Sequence, residues 1–168
     1  LHTGEEEFIP EVFKGCLVMV DVSPSMEAFA IPESKTTCMD LSISLGIMGS
    51  SMNPAPYKDL VLAFSSNPYL IDLSNCRLEE KINRIMKSMG YTTDLMKAVV
   101  KVLDVARKNN IEDGEIPPIL IISDEQFDRQ MIPYHLQNDS VKAWNTTYDN
   151  MVQLFNDYGY KIIPMIYF

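Results

Sequence analysis

The 168-residue sequence predicts an α/β fold: a mostly parallel central sheet, helices on both faces, and one short antiparallel edge strand. Three observations lead there. Short runs of continuous apolar residues rich in Val and Ile recur along the chain, as strands buried on both faces require. Between them lie segments whose apolar residues are spaced three and four apart, the helical period. Strands alternating with helices imply βαβ crossovers and therefore a parallel sheet covered on both sides.

The elements follow in order. Residues 16–21, Cys-Leu-Val-Met-Val-Asp, read as the first buried strand, followed by a polar loop over 22–33 with two prolines. A helix is expected from Thr36, with Leu41, Leu45, Met48 and Met52 on its buried face. Pro54 and Pro56 end it, because proline cannot continue a helix. Residues 60–64 and 69–73 read as strands. The short linker 65–68 between them makes a hairpin, so this pair is antiparallel. Leu78, Ile82, Ile85, Met86 and Met89 give a helix whose apolar face reads as core, closed by Gly90.

After a Thr92-Thr93-Asp94 step, a helix runs to about Asn110, with Leu95, Val99, Val102 and Ala106 inward. Residues 119–123 are a buried strand ending at Asp124. Val141, Trp144, Tyr148, Val152 and Phe155 give a further helix, with Trp144 in the core, stopped near Gly159. Residues 161–167 are the last strand. The arrangement is Rossmann-like. It reads as one domain over 10–168 after a nine-residue tail or tag, with no internal repeat.

Composition removes several classes of function. Apolar residues make up 46% and charged residues 22%, which is globular composition rather than disorder. Lys plus Arg number 14 against 23 Asp plus Glu, a net charge of −9. Binding a phosphate backbone takes clustered Lys and Arg, so direct nucleic-acid binding is not expected. An acidic domain suits cation binding or a basic partner. The longest apolar stretches, such as 116–122, fall far short of the ~20 residues of a membrane span. The start, Leu-His-Thr-Gly-Glu-Glu-Glu, is polar and acidic, unlike a secretory signal, and without Met it reads as the start of a fragment. Cys16, Cys38 and Cys76 have no zinc-binding spacing. An odd number of thiols fits a reducing compartment, so an intracellular, cytoplasmic setting is expected.

In open α/β sheets ligands bind beyond the carboxyl ends of the strands. The first strand ends in Asp21-Val-Ser23-Pro-Ser25, the step before the Leu95 helix carries Thr92 and Thr93, and strand 119–123 ends at Asp124. Two carboxylates and several hydroxyls on one edge form an all-oxygen set for a hard divalent cation. Mg2+ is expected first, with Mn2+ or Ca2+ as alternatives. A carboxylate at a strand end with hydroxyls at i+2 and i+4 can curl around one ion, and Pro24 stiffens that loop. Two carboxylates alone leave the ion electrophilic, ready to take a carboxylate from another molecule. The same Asp-before-Ser pattern also serves as a turn or helix cap.

At these residues the sequence resembles the von Willebrand factor A domain with its metal-ion-dependent adhesion site. Asp21, Ser23 and Ser25 match its Asp-x-Ser-x-Ser step. Thr93-Asp94-Leu95 with Ala98-Val99 resembles its later Thr step, which implies Thr93 as third-loop ligand with Thr92 as the fallback. Asp124 matches the last position. The implied metal ligands are Asp21, Ser23, Ser25, Thr93 and Asp124. The segment Ser123-Asp124-Glu125-Gln126-Phe127-Asp128 departs from the common Thr-Asp-Gly. Together with Asp-Val-Ser-Pro-Ser-Met it resembles the C-terminal domain of a plant, fungal and giant-virus protein family, a distant relative of the Ro RNA-binding autoantigen. That closer match brings no biochemical activity with it. Glu125 and Asp128 add carboxylates near the site, for a second cation or a rim that disfavours acidic ligands. The A-domain fold closes with one more strand and helix. The expectation is that both are missing here, leaving a sheet edge open to edge-to-edge dimerisation.

The resemblance implies a non-catalytic binding module whose cation bridges to an Asp or Glu of a protein partner. Two alternatives stay open. One is an accessory domain of a Ro-like ribonucleoprotein, with RNA bound elsewhere. The other is a Mg2+-dependent phosphoryl-transfer hydrolase with Asp21 as nucleophile. Such hydrolases want a second Asp two residues on as general acid, where this chain has Ser23. His2 and His135, the only imidazoles, lie in no motif. Tyr91, beside the Thr92-Thr93 step, is the aromatic best placed for the rim of the site.

Overall fold

The computed structural model describes residues 15–28, 35–88, 94–123 and 140–167. The tail over 1–9, Met89 and Gly90 lie outside the described residues. The strands are β1 (Leu17–Val20), β2 (Leu60–Ala63), β3 (Leu70–Asp72), β4 (Ile119–Ile122) and β5 (Met165–Tyr167). The helices are α1 (Ser25–Ala28), α2 (Cys38–Met52), α3 (Leu78–Met86), α4 (Leu95–Lys108) and α5 (Ser140–Tyr158).

The five strands form one sheet in the order β3-β2-β1-β4-β5. All pairs are parallel except β2–β3, where Val61 faces Ile71. The α/β class and the antiparallel edge strand are as the sequence predicts. The hairpin is short because Ala63 N–H donates to Tyr69 O at 2.9 Å.

Side-chain alternation divides the core into two layers. Leu17, Met19, Leu62, Ile119 and Ile121 pack with Val99, Val102 and Leu103 of α4 and Met151 and Phe155 of α5. Val18, Val20, Val61, Ala63, Leu120 and Ile122 pack with Met39 and Ile43 of α2 and Ile85 of α3. Helices therefore cover both faces, and both faces of β1 are buried along its whole length.

Three helix faces differ from expectation. In α2 the buried residues are Met39, Ser42, Ile43, Gly46, Gly49 and Ser50, whereas Leu41, Leu45, Met48 and Met52 are half-buried. Small residues let α2 lie close on β1, and its larger apolar side chains flank the contact. In α3 only Ile85 is buried; Leu78 is 65% exposed and Ile82 37%. In α5 Met151 and Phe155 point inward, while Tyr148 is 42% exposed; the side chains of Val141 and Trp144 lie outside the described residues. Helix α4 buries Leu95, Val99, Val102 and Ala106 as predicted, with Ala98 and Leu103 beside them.

Caps fix the helix ends. Thr37 and Asp40 form a capping box at α2: the Asp40 N–H donates to Thr37 Oγ1 at 3.1 Å, and the Thr37 N–H donates to Asp40 Oδ2 at 2.9 Å. Bonding by Thr37, backbone first, holds the Asp40 carboxyl below its ordinary range. At the end of α5 Gly159 takes φ +85, and the Tyr160 N–H reaches back to Phe155 O at 2.9 Å. Glycine adopts that conformation without strain. No described helix is long and apolar enough to cross a membrane.

Candidate metal centre

Parallel pairing brings the carboxyl ends of β1, β2 and β4 to one edge, with Val20 beside both Ala63 and Ile122. The strand order departs from β1 in both directions, so the β1–β4 crevice is the switch point where open α/β sheets bind ligands. Asp21 stands at this point. Its N–H donates to Ile122 O at 3.2 Å, which carries the β1–β4 ladder one residue past the strand.

The Asp21 carboxylate is fully buried. Oδ1 accepts from the Ser23 N–H at 2.7 Å, closing a tight turn after β1. Oδ2 accepts from Ser123 Oγ at 2.5 Å, across the crevice from the end of β4. Ser23 is only 4% exposed and its Oγ lies 2.9 Å from Ser25 Oγ. Helix α1 fixes this pair: the Met26 N–H donates to Ser23 O at 3.1 Å, and the Met26 side chain is anchored in the core. Hydrogen bonds thus link Asp21 to Ser23 and Ser23 to Ser25.

The other predicted ligands stand differently. Tyr91, Thr92, Thr93, Asp124, Glu125, Asp128 and His135 lie outside the described residues. Asp94, the residue after Thr93, is described. Its N–H donates to Ser65 O at 3.3 Å, which ties the start of α4 to the carboxyl end of β2. Its side chain caps α4 by accepting from the Lys97 N–H at 3.0 Å and pairs with Lys97 Nζ at 3.1 Å. Asp94 therefore serves the helix start, as an N-cap aspartate does.

Ser123 was not singled out as a site residue by sequence reasoning. The signal for it is a hydroxyl on the last residue of a buried strand, directly before Asp124. The neighbour relation of β1 and β4, which brings Ser123 to Asp21, is visible only in the fold.

The ion pairs among the described residues join Lys81 to Asp59, Lys97 to Asp94 and Lys161 to Asp113; none includes Asp21. Among the described residues the donors on this carboxylate are the Ser23 N–H and the Ser123 hydroxyl, both neutral, and taking a carboxylate out of water carries a desolvation cost of several kcal/mol. The side-chain groups gathered here, the Asp21 carboxylate and the Ser23 and Ser25 hydroxyls, offer oxygen ligands, the kind that Mg2+ and Mn2+ prefer. The residues present therefore fit a hard divalent ion. No three His, Cys, Asp or Glu side chains gather among the described residues. A ligand set composed mainly of hydroxyls would form no such group.

Fold and site together define an open α/β domain, covered by helices on both faces, with oxygen donors gathered at its switch point. The chain belongs to the family described as Domain of unknown function (DUF7788), whose model matches residues 15–168. No curated protein and no solved structure matches the chain.

Proposed function

We propose that this domain is a non-catalytic binding module in which a divalent cation, Mg2+ before Mn2+ or Ca2+, is held beyond the carboxyl ends of the strands. Asp21, Ser23 and Ser25 would hold it, with Thr93 and Asp124 completing the set. The ion would supply an electrophilic position for an Asp or Glu of a protein partner. The observation that carries this reading is the buried Asp21 carboxylate, paired with no Lys or Arg among the described residues and set beside two buried or half-buried hydroxyls. The resemblance of the same residues to the adhesion-type A domain agrees with this reading.

The hydrolase alternative is weaker on its chemistry. It needs a general acid two residues after Asp21, and Ser23 supplies none. An odd number of cysteines, three, supports an intracellular setting for the domain.

The test is calorimetric titration of Mg2+ and Mn2+ into the wild type, Asp21→Asn and Ser25→Ala. Saturable binding is expected in the wild type, lost in Asp21→Asn and weakened in Ser25→Ala. Equal binding by all three would overturn the site, and no binding by the wild type would overturn the function.

A further inference from the structure

The hydrogen bond from Ser123 to Asp21 joins two residues 102 apart in sequence, at the ends of adjacent strands β4 and β1. Among the described residues it gives Asp21 one donor on each oxygen: the Ser23 N–H on Oδ1 and the Ser123 hydroxyl on Oδ2. Those two bonds fix the rotation of a carboxylate that has no freedom to swing into solvent, because it is fully buried.

That constraint bears on metal choice. Ca2+ takes six to eight oxygens and readily uses a carboxylate through both of its oxygens. Mg2+ holds six ligands in a tight octahedron, keeps several waters, and uses carboxylates one oxygen at a time. A carboxylate already bonded at both oxygens and locked in rotation suits the second mode. The neighbouring ligands, Ser23 and Ser25, are single-oxygen hydroxyls and add no bidentate group.

We propose that Ser123 is a positioning residue that sets metal preference: by holding Asp21 Oδ2 it locks the plane of the carboxylate, disfavours the two-oxygen mode that Ca2+ uses, and so favours Mg2+ over Ca2+. This rests on the cation-binding reading above and adds to it a residue outside the predicted ligand set.

The experiment is paired calorimetric titration of Mg2+ and Ca2+ into the wild type, Ser123→Ala, Ser123→Cys and Ser123→Thr. The readout is the ratio of the two affinities. In Ser123→Ala the ratio should move toward Ca2+ by roughly tenfold, the lower end of what losing an outer-shell partner does. Ser123→Cys, nearly the same size with a weaker donor, should move it the same way, and Ser123→Thr should restore it. A merely structural role would weaken both ions together and leave the ratio unchanged. An unchanged ratio with Mg2+ still bound would overturn the role of Ser123 and leave the site standing. No Mg2+ binding by the wild type would overturn both.

Discussion

Gly46 of α2 lies directly on Val20 of β1: a Cβ built at Gly46 would overlap Val20 Cγ2. Gly49, one turn on, has the same relation to Val18, with 2.6 Å between its notional Cβ and Val18 Cγ2. Two glycines thus set the distance between helix and sheet beside the strand that ends in Asp21. In an exposed helix Gly→Ala would stabilise by about 1 kcal/mol. Here the added methyl must push α2 off β1, and overpacking of this kind costs about 1–3 kcal/mol. Gly46→Ala is expected to lower the urea midpoint, and Ser51→Ala on the exposed face of the same helix to leave it nearly unchanged. A raised midpoint in Gly46→Ala would show that the contact gives way freely.

This contact also explains which parts of the fold were legible. The strands were legible because Leu-Val-Met-Val and Ile-Leu-Ile-Ile leave no polar side chain to face water. Helix α4 was legible because its large apolar residues are its buried ones. Helix α2 misled because four of its six buried residues, Ser42, Gly46, Gly49 and Ser50, carry little apolar signal, and Met39 and Ile43 alone mark the face. Helix α3 misled in the opposite sense: Leu78 and Ile82 have the right spacing but lie at the surface. At the site, Asp21, Ser23 and Ser25 could be read because they are close in sequence. Ser123 could not be assigned, because its partner depends on strand order.

Tyr57 offers a test of the layer beneath α4. Its ring is buried and its hydroxyl donates to Val102 O at 3.1 Å. Burial, with Tyr160 nearby as a smaller cause, pushes its pKa well above the ordinary tyrosine value. The unfolded chain therefore releases this proton at lower pH than the folded one. The stability that Tyr57 contributes is fully present below its unfolded pKa of about 10 and is lost as pH rises beyond it. Tyr57→Phe should cost about 1 kcal/mol near neutral pH through the lost hydrogen bond. The gap between the two proteins should narrow or reverse above about pH 10. Urea midpoints measured across that range check it, and a constant gap would contradict it.

Ile85 and Leu78 sit on the same short helix with opposite exposures, 0% and 65%. Deleting a buried branched side chain costs about 2–5 kcal/mol, whereas an exposed change stays within about 0.5 kcal/mol. Ile85→Ala should therefore destabilise strongly and Leu78→Ala hardly at all. A large loss in Leu78→Ala would mean that its side chain is covered in solution. Chemical denaturation of both variants decides.

Metal removal should act on stability through the buried Asp21 carboxylate. In chelator, the wild type holds a buried carboxylate whose donors among the described residues are the Ser23 N–H and the Ser123 hydroxyl. Asparagine at this position keeps an oxygen for the Ser23 N–H and removes the buried charge. Its amide can donate to Ser123 Oγ once that hydroxyl turns its hydrogen away. Asp21→Asn should therefore be at least as stable as the wild type in chelator. Adding Mg2+ should reverse the order. A ligand that binds only the folded state stabilises by about 2.7 kcal/mol at 100 times its Kd. The wild type should show that gain as a rise in Tm, and Asp21→Asn should show none. A Tm gain of equal size in both would place the ion away from Asp21. A wild type more stable than Asp21→Asn in chelator would mean that the carboxylate serves the turn into α1 rather than an ion.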